Sequence, residues 1–179
     1  KNIATAGATF AVGGVGLSFS GSSSKEVVEQ YQRSAFVDSD WCRVINPFIL
    51  TDITKETVSE NIYCLLHNYL ICEEISTVIF TYGWHGGRKE IYDRVIERLR
   101  NDGTEFQEKI IILKCSESEN KRRALADDRG INRVERGIKN TFSLYDEFDY
   151  PCIDTTKMTV MEVAEQVWRL ANENLWSRY

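Results

Sequence analysis

The chain has 179 residues, 42% of them apolar and 27% charged, with a net charge of −5 at pH 7. That is enough to bury the core of one domain, 1–179, and the acidic balance argues against a general nucleic-acid binder. No apolar stretch approaches the ~20 residues that span a bilayer, and no charged-then-apolar segment opens the sequence. Cys42, Cys64, Cys72, Cys115 and Cys152 form no C-x-x-C pair, so reduced thiols in a cytoplasmic protein are expected rather than a zinc site.

In chain order, residues 2–10 offer a weak first strand of Ile3, alanines and threonines. Ala8-Thr9-Phe10-Ala11-Val12-Gly13-Gly14-Val15 follows, where a strand would end and a helix begin. A phosphate loop there would read G-x-x-x-x-G-K-[ST], its backbone N–H groups wrapping a phosphate and its lysine on the outer oxygens. Gly13 stands at the second glycine, Gly14 at the lysine and Val15 at the Mg²⁺-binding hydroxyl. The first helix would run through glycines and serines up to Ser24, all weak helix formers. From Lys25 the helical pattern recovers, with Val27, Val28 and Tyr31.

Residues 34–38 read as a buried strand closing on Asp38. Helical spacing of Val58, Ile62, Leu65, Leu66, Tyr69 and Leu70 predicts a helix over 55–71. Strand 77–82 is β-branched and aromatic, helix 89–100 presents Ile91, Val95, Ile96 and Leu99, and 109–115 is the clearest buried strand. An arginine-rich segment covers 117–139, a short strand 150–154 and a last helix 159–175, where Thr159 and Glu162 make a capping box. Strands alternating with helices predict a three-layer α/β/α fold around a mainly parallel five-stranded sheet, with ligands at the carboxyl ends of the strands.

The residues after each strand are therefore the candidates. Asp38 can accept a proton from a hydroxyl or hold Mg²⁺ through water, and Asp40 two residues on makes an acidic pair that a cation would relieve; a plain polar turn is the alternative. Trp41, Asn46, Pro47 and Phe48 could wall an acceptor pocket or simply pack. After the third strand, His85 is a candidate contact to acceptor or phosphate, and Arg88 a bidentate anion clamp. Arg122, Arg123, Arg129, Arg133 and Arg136 are either functional or one solvated helix face with Glu119, Asp127, Asp128 and Glu135.

The order of these motifs resembles the P-loop kinases of small molecules and nucleotides, the shikimate-kinase, chloramphenicol-phosphotransferase and adenylate-kinase-like group. The resemblance runs from Thr9 to about Leu170. It rests on Thr9-Phe10-Ala11-Val12-Gly13, on Val37-Asp38-Ser39-Asp40-Trp41, on the arginine-rich segment, and on Ile153-Asp154-Thr155-Thr156. It implies an ATP-dependent phosphotransferase acting on a small molecule or nucleotide, with ATP and Mg²⁺ as cofactors. By the same resemblance Thr9, Phe10, Ala11, Val12, Gly13, Gly14 and Val15 would hold the phosphates, and Thr155 and Thr156 would border the base. Asp38 would be the base, with Asp40 beside it at the metal; Arg129 and Arg133, on a helical lid at about 117–140, would neutralise the transferring phosphate. Asp40, Trp41, His85 and Arg88 would bind the acceptor.

Loss of the loop lysine removes a charge-assisted bond of ~1.5–3 kcal/mol, so weak nucleotide binding with slow turnover is expected unless Lys25 or a lid arginine substitutes. Two other readings stand beside this one. A non-catalytic nucleotide-binding or regulatory module would also keep the fold and lack the lysine. A dinucleotide-binding oxidoreductase would use Gly14-Val15-Gly16 and Asp38, but Phe19 takes the third glycine position.

Overall fold

The computed structural model describes residues 2–8, 33–47, 49–126, 131–141 and 143–172. Five parallel strands form one sheet in the order β2-β3-β1-β4-β5: β1 (Asn2–Ala8), β2 (Ser34–Asp38), β3 (Thr77–Tyr82), β4 (Gln107–Lys114) and β5 (Cys152–Asp154). The unpromising first strand is the central one. Its backbone is held by ladders on both sides, Asn2 to Gly7 against Thr77 to Tyr82 and Asn2 to Ala8 against Gln107 to Leu113. Neighbouring strands, rather than propensity, specify it.

Side chains of β3 and β4 alternate between two cores, as the two-residue period of a strand requires. Val78, Phe80, Ile110 and Ile112 face α1 (Asp52–Ile71) and α2 (Arg88–Asn101), where Val58, Ile62, Leu66, Ile91, Val95 and Leu99 meet them. Ile79, Ile111 and Leu113 face the opposite way, toward Val163, Ala164 and Val167 of α5 (Val160–Asn172). The sheet is thus covered on both faces, which is why β3 is buried along its whole length and reads as a continuous apolar run. Between β4 and β5 the chain forms α3 (Glu117–Ala126) and α4 (Ile131–Thr141), which share a small apolar cluster of Ala124, Val134 and Ile138.

Helix boundaries follow local chemistry. α1 begins three residues before the position its apolar spacing predicts, because Thr51 and Thr54 cap it reciprocally, the Thr51 amide on Thr54 Oγ1 at 2.8 Å and the Thr54 amide on Thr51 Oγ1 at 3.2 Å. The expected Thr159–Glu162 box is formed, with Glu162 accepting from the Thr159 amide at 2.7 Å. α2 stops where Gly103 takes a φ of 76°, its amide on the Arg100 carbonyl. The arginine-rich segment forms two helices rather than one. Among the described residues, no helix is long and apolar enough to cross a membrane.

Candidate active site

Because the strands are parallel, their carboxyl ends share one edge of the sheet. β2 and β3 bring two polar turns together there, since Asp38 pairs in register with Thr81. The first turn is tight. The Asp40 amide donates to Asp38 Oδ1 at 2.9 Å, and the Ser39 amide donates to the Thr81 carbonyl at 3.2 Å. A 3₁₀ turn, Trp41–Arg43, then carries Arg43 back onto Asp40, whose carboxylate accepts from Arg43 Nη2. The cation that the Asp38–Asp40 pair calls for is therefore supplied for Asp40 by a guanidinium of the same turn. Burial raises the Asp38 carboxyl above its ordinary range, the Asp40 amide working against it. Burial also pushes the Cys42 thiol up to about 11, so it is an inert core group and not a nucleophile.

The second turn follows β3. Tyr82 donates its hydroxyl to the Arg88 carbonyl at 2.8 Å, and the Trp84 amide donates to the buried Tyr145 hydroxyl at 2.8 Å. Trp84 packs among Tyr92, Tyr145, Phe148 and Tyr150, which fixes the loop from below. Gly86 adopts a φ of 62°, and a Cβ on Gly83 would come within 3.0 Å of His85 Nδ1. These two glycines let the chain reverse around the imidazole. Burial, with Arg88 and Arg43 adding to it, lowers His85 to about 3, so the ring is neutral at physiological pH. Burial and then Arg43 lower Arg88 to about 10, with Asp40 opposing.

Three buried side-chain atoms at this edge have no hydrogen-bond partner among the described residues: Ser39 Oγ, Arg43 Nη1 and His85 Nδ1. Buried polar groups are normally satisfied, so their concentration at one strand edge is characteristic of a site built for something polar.

The β4–β5 end is organised differently. Thr155 is fully buried; its hydroxyl donates to the Lys114 carbonyl at 2.9 Å, and its own carbonyl accepts from Arg123 Nη2 at 2.8 Å. Thr156 Oγ1 accepts from the Ser116 amide at 2.8 Å and also bonds to Asp154. Both threonines clamp strand ends, and Arg123 joins them to α3 while pairing with Glu119 at 2.7 Å.

The structure thus brings together Asp38, Asp40, His85 and Arg88 of the residues singled out from sequence. Trp41 shares their turn but is 78% exposed. Thr155 and Thr156 sit two strands beyond β1, at the other half of the same edge. The glycine-rich loop, residues 9–15, and Arg129 lie outside the described residues, as do Phe48 and the Arg133 side chain. Sequence reasoning missed Arg43 and Tyr145. The signal for Arg43 was an arginine three residues after Asp40, a spacing that one tight turn closes. Nothing local marked Tyr145, which reaches Trp84 from 61 residues away. No group of three or more His, Cys, Asp or Glu among the described residues is placed to hold a metal.

No family model and no curated protein sequence matches the chain significantly. Solved structures do. A gluconokinase from Sinorhizobium meliloti 1021 is 15% identical with a TM-score of 0.59, over 95% of this chain and 90% of that one. The tunicamycin resistance protein of Deinococcus radiodurans is 13% identical with a TM-score of 0.56, over 94% of each chain. A shikimate kinase from Acinetobacter baumannii, in complex with shikimate, is 16% identical with a TM-score of 0.55, over 94% of this chain and 91% of that one. The chain has the fold of the P-loop small-molecule kinases.

Proposed function

We propose that this chain is an ATP-dependent phosphotransferase whose acceptor, a small molecule or nucleotide, binds between the turns that follow β2 and β3. The observation that carries the reading is the Asp38–Asp40 turn at the carboxyl end of β2, with Asp40 near Arg88 of the turn that follows the neighbouring β3, in a parallel sheet of kinase-like order. In such a fold ligands collect outside the carboxyl ends of the strands, where the strand order changes direction. ATP, when bound, supplies the phosphoryl group, and Mg²⁺ offsets its charge.

Asp38 makes no ion pair among the described residues and has one oxygen on the Asp40 amide. That suits it to take a proton from the acceptor hydroxyl, or to hold a hydrated Mg²⁺ through its second oxygen. Asp40 fits a metal less well, because Arg43 already occupies it. Arg88 and His85 orient the acceptor, with Trp41 at the rim. Residues 9–15 cradle the phosphates, Arg129 and Arg133 close over them from a lid at about 117–140, and the turn at Thr155 and Thr156 borders the base. α3 packs on α4 through an apolar cluster apart from the two main cores, while Arg123 anchors α3 to Thr155.

Phosphoryl transfer from labelled ATP with Mg²⁺, scored over a panel of hydroxylated acceptors, tests the reading. Asp38→Asn should slow transfer about 10²–10⁴-fold while leaving nucleotide affinity unchanged. Wild-type turnover in that variant, or folded protein that binds no ATP or ADP at millimolar concentration, would contradict it.

Gly14 and Val15, at the lysine and hydroxyl positions, favour a second reading, a nucleotide-binding module without turnover. Gly14→Lys with Val15→Thr separates the two. A gain of hydrolysis supports a weakened kinase, and nucleotide binding with no gain supports the module.

A further inference from the structure

A cleft of about 390 Å³ runs beside α2, outside the candidate active site: none of Asp38, Asp40, His85 and Arg88 lines it. Sites for small ligands commonly measure about 300–1,000 Å³. α2 turns Arg94 and Arg98 toward α1, and Lys89, Asp93, Glu97 and Arg100 toward the cleft. That division follows from the helical period, which sets residues three and four apart on one face. Trp84, Tyr92, Ile96 and Ile110, all buried, form a largely apolar floor, and Tyr150 adds a ring that is 36% exposed.

The charges around this floor do not balance. Two cations, Lys89 and Arg100, face three carboxylates, Asp93, Glu97 and Glu108. Lys89 donates to both Asp93 oxygens at 2.8 Å and lies 5.3 Å from the centre of the Trp84 ring. Arg100 Nη2 donates to Glu108 Oε2 at 2.7 Å, and the Tyr92 hydroxyl donates to the other Glu108 oxygen. The Glu97 carboxylate forms no ion pair or hydrogen bond among the described residues. Both cations are thus committed, and one carboxylate is left over. An anion entering the cleft would have to displace Asp93 or Glu108, and it would meet the Glu97 charge. A cation meets an uncommitted carboxylate and disturbs no existing pair. Among cations, the floor selects one that carries hydrocarbon or a ring.

We infer that this cleft binds a small organic amine, its ammonium on Glu97 and its apolar body against Ile96 and Tyr150. The inference does not rest on the phosphotransfer reading. Tyramine, tyrosol and para-hydroxyphenylacetate share one ring and differ in charge, so they separate the cases. Their affinities are measured by NMR titration on the full chain. Tyramine should bind most tightly and para-hydroxyphenylacetate least, with the tyramine shifts centred on residues 89–100 and 108–110. Glu97→Gln, an exposed change on a helix surface, should weaken tyramine about 2- to 5-fold and leave tyrosol unchanged. Tyr150→Ala should weaken tyramine and tyrosol alike. Equal affinity for the three probes, binding of none of them, or tyramine affinity unchanged in Glu97→Gln would overturn the site. Tyramine shifts confined to residues 39–43 and 83–88 would overturn it too, by moving the amine to the other cleft.

Discussion

His85 sits under two cations in a turn too tight for a Cβ at Gly83. Burial holds its pKa down at about 3, well below the ordinary 6.5 of a histidine. Between those values the unfolded chain binds a proton that the folded chain refuses, so the contribution is fully present above pH 6.5 and is lost as pH falls toward 3. His85→Asn should flatten that part of the pH–Tm curve relative to wild type; curves that stay parallel would mean the ring is not held neutral. Gly83→Ala should push the His85 imidazole out by a few tenths of an ångström and lower Tm in a thermal melt; an unchanged Tm would mean the ring yields freely. At this scale the acids were legible as a polar turn closing a strand, and that turn is formed, with the Asp40 amide on Asp38 Oδ1. Arg43 was not. Its role depends on a 3₁₀ turn that folds Trp41 outward and Arg43 inward, and no periodicity announces a three-residue helix.

Among the elements, α3 is tied to the sheet through charge rather than apolar area. Arg122 and Arg123 both donate to Glu119, and Arg123 continues to Thr155 at the end of β5. The hydrogen bonds from Arg122 hold the Glu119 carboxyl down at about 2, with Arg123 adding to the effect. A depressed carboxyl stabilises the fold above its unfolded pKa and loses that contribution as pH falls, here from 4.5 toward 2. Glu119→Gln should remove stability at pH 7 and leave little difference from wild type near pH 2, as thermal melts across that range will show. A constant difference at all pH values would place the effect in packing instead. Thr51→Ala should cost about 0.5–2 kcal/mol and fray the start of α1. Strands and amphipathic helices were legible from their periods. The start of α1 was not, because its cap pairs two threonines where the usual signal is Ser or Thr with Glu or Gln. The arginine-rich segment was legible as helix and as ion-paired face together: Arg122 and Arg123 are bound to Glu119, as charge runs commonly are.

The whole molecule depends on a sheet whose centre is its least apolar strand. β1 has ladders on both sides, whereas β2 and β5 are edges. Its amides should be among the slowest to exchange, opening only with global unfolding; exchange as fast as in β5 would show that the centre is not assembled. Ile111, fully buried on the α5 face of β4, should cost about 2–5 kcal/mol as Ile111→Ala. The alternation of strands and helices made the parallel sheet foreseeable, but nothing within residues 2–8 identified them as its middle. That placement comes from β3 and β4, both strongly β-forming, closing on whatever backbone lies between them. The central claim is that the carboxyl edge of this sheet binds nucleotide next to the Asp38 and Arg88 turns. An amide-resolved NMR titration with Mg²⁺ and ATP tests it most directly. Nucleotide on the carboxyl edge should give the largest shifts at residues 9–15 and 155–156 and smaller ones at 39–43 and 83–88, with the opposite edge at Asn2, Thr77 and Gln107 unmoved. Saturating nucleotide that leaves those turns unchanged, or that shifts the opposite edge instead, would contradict it.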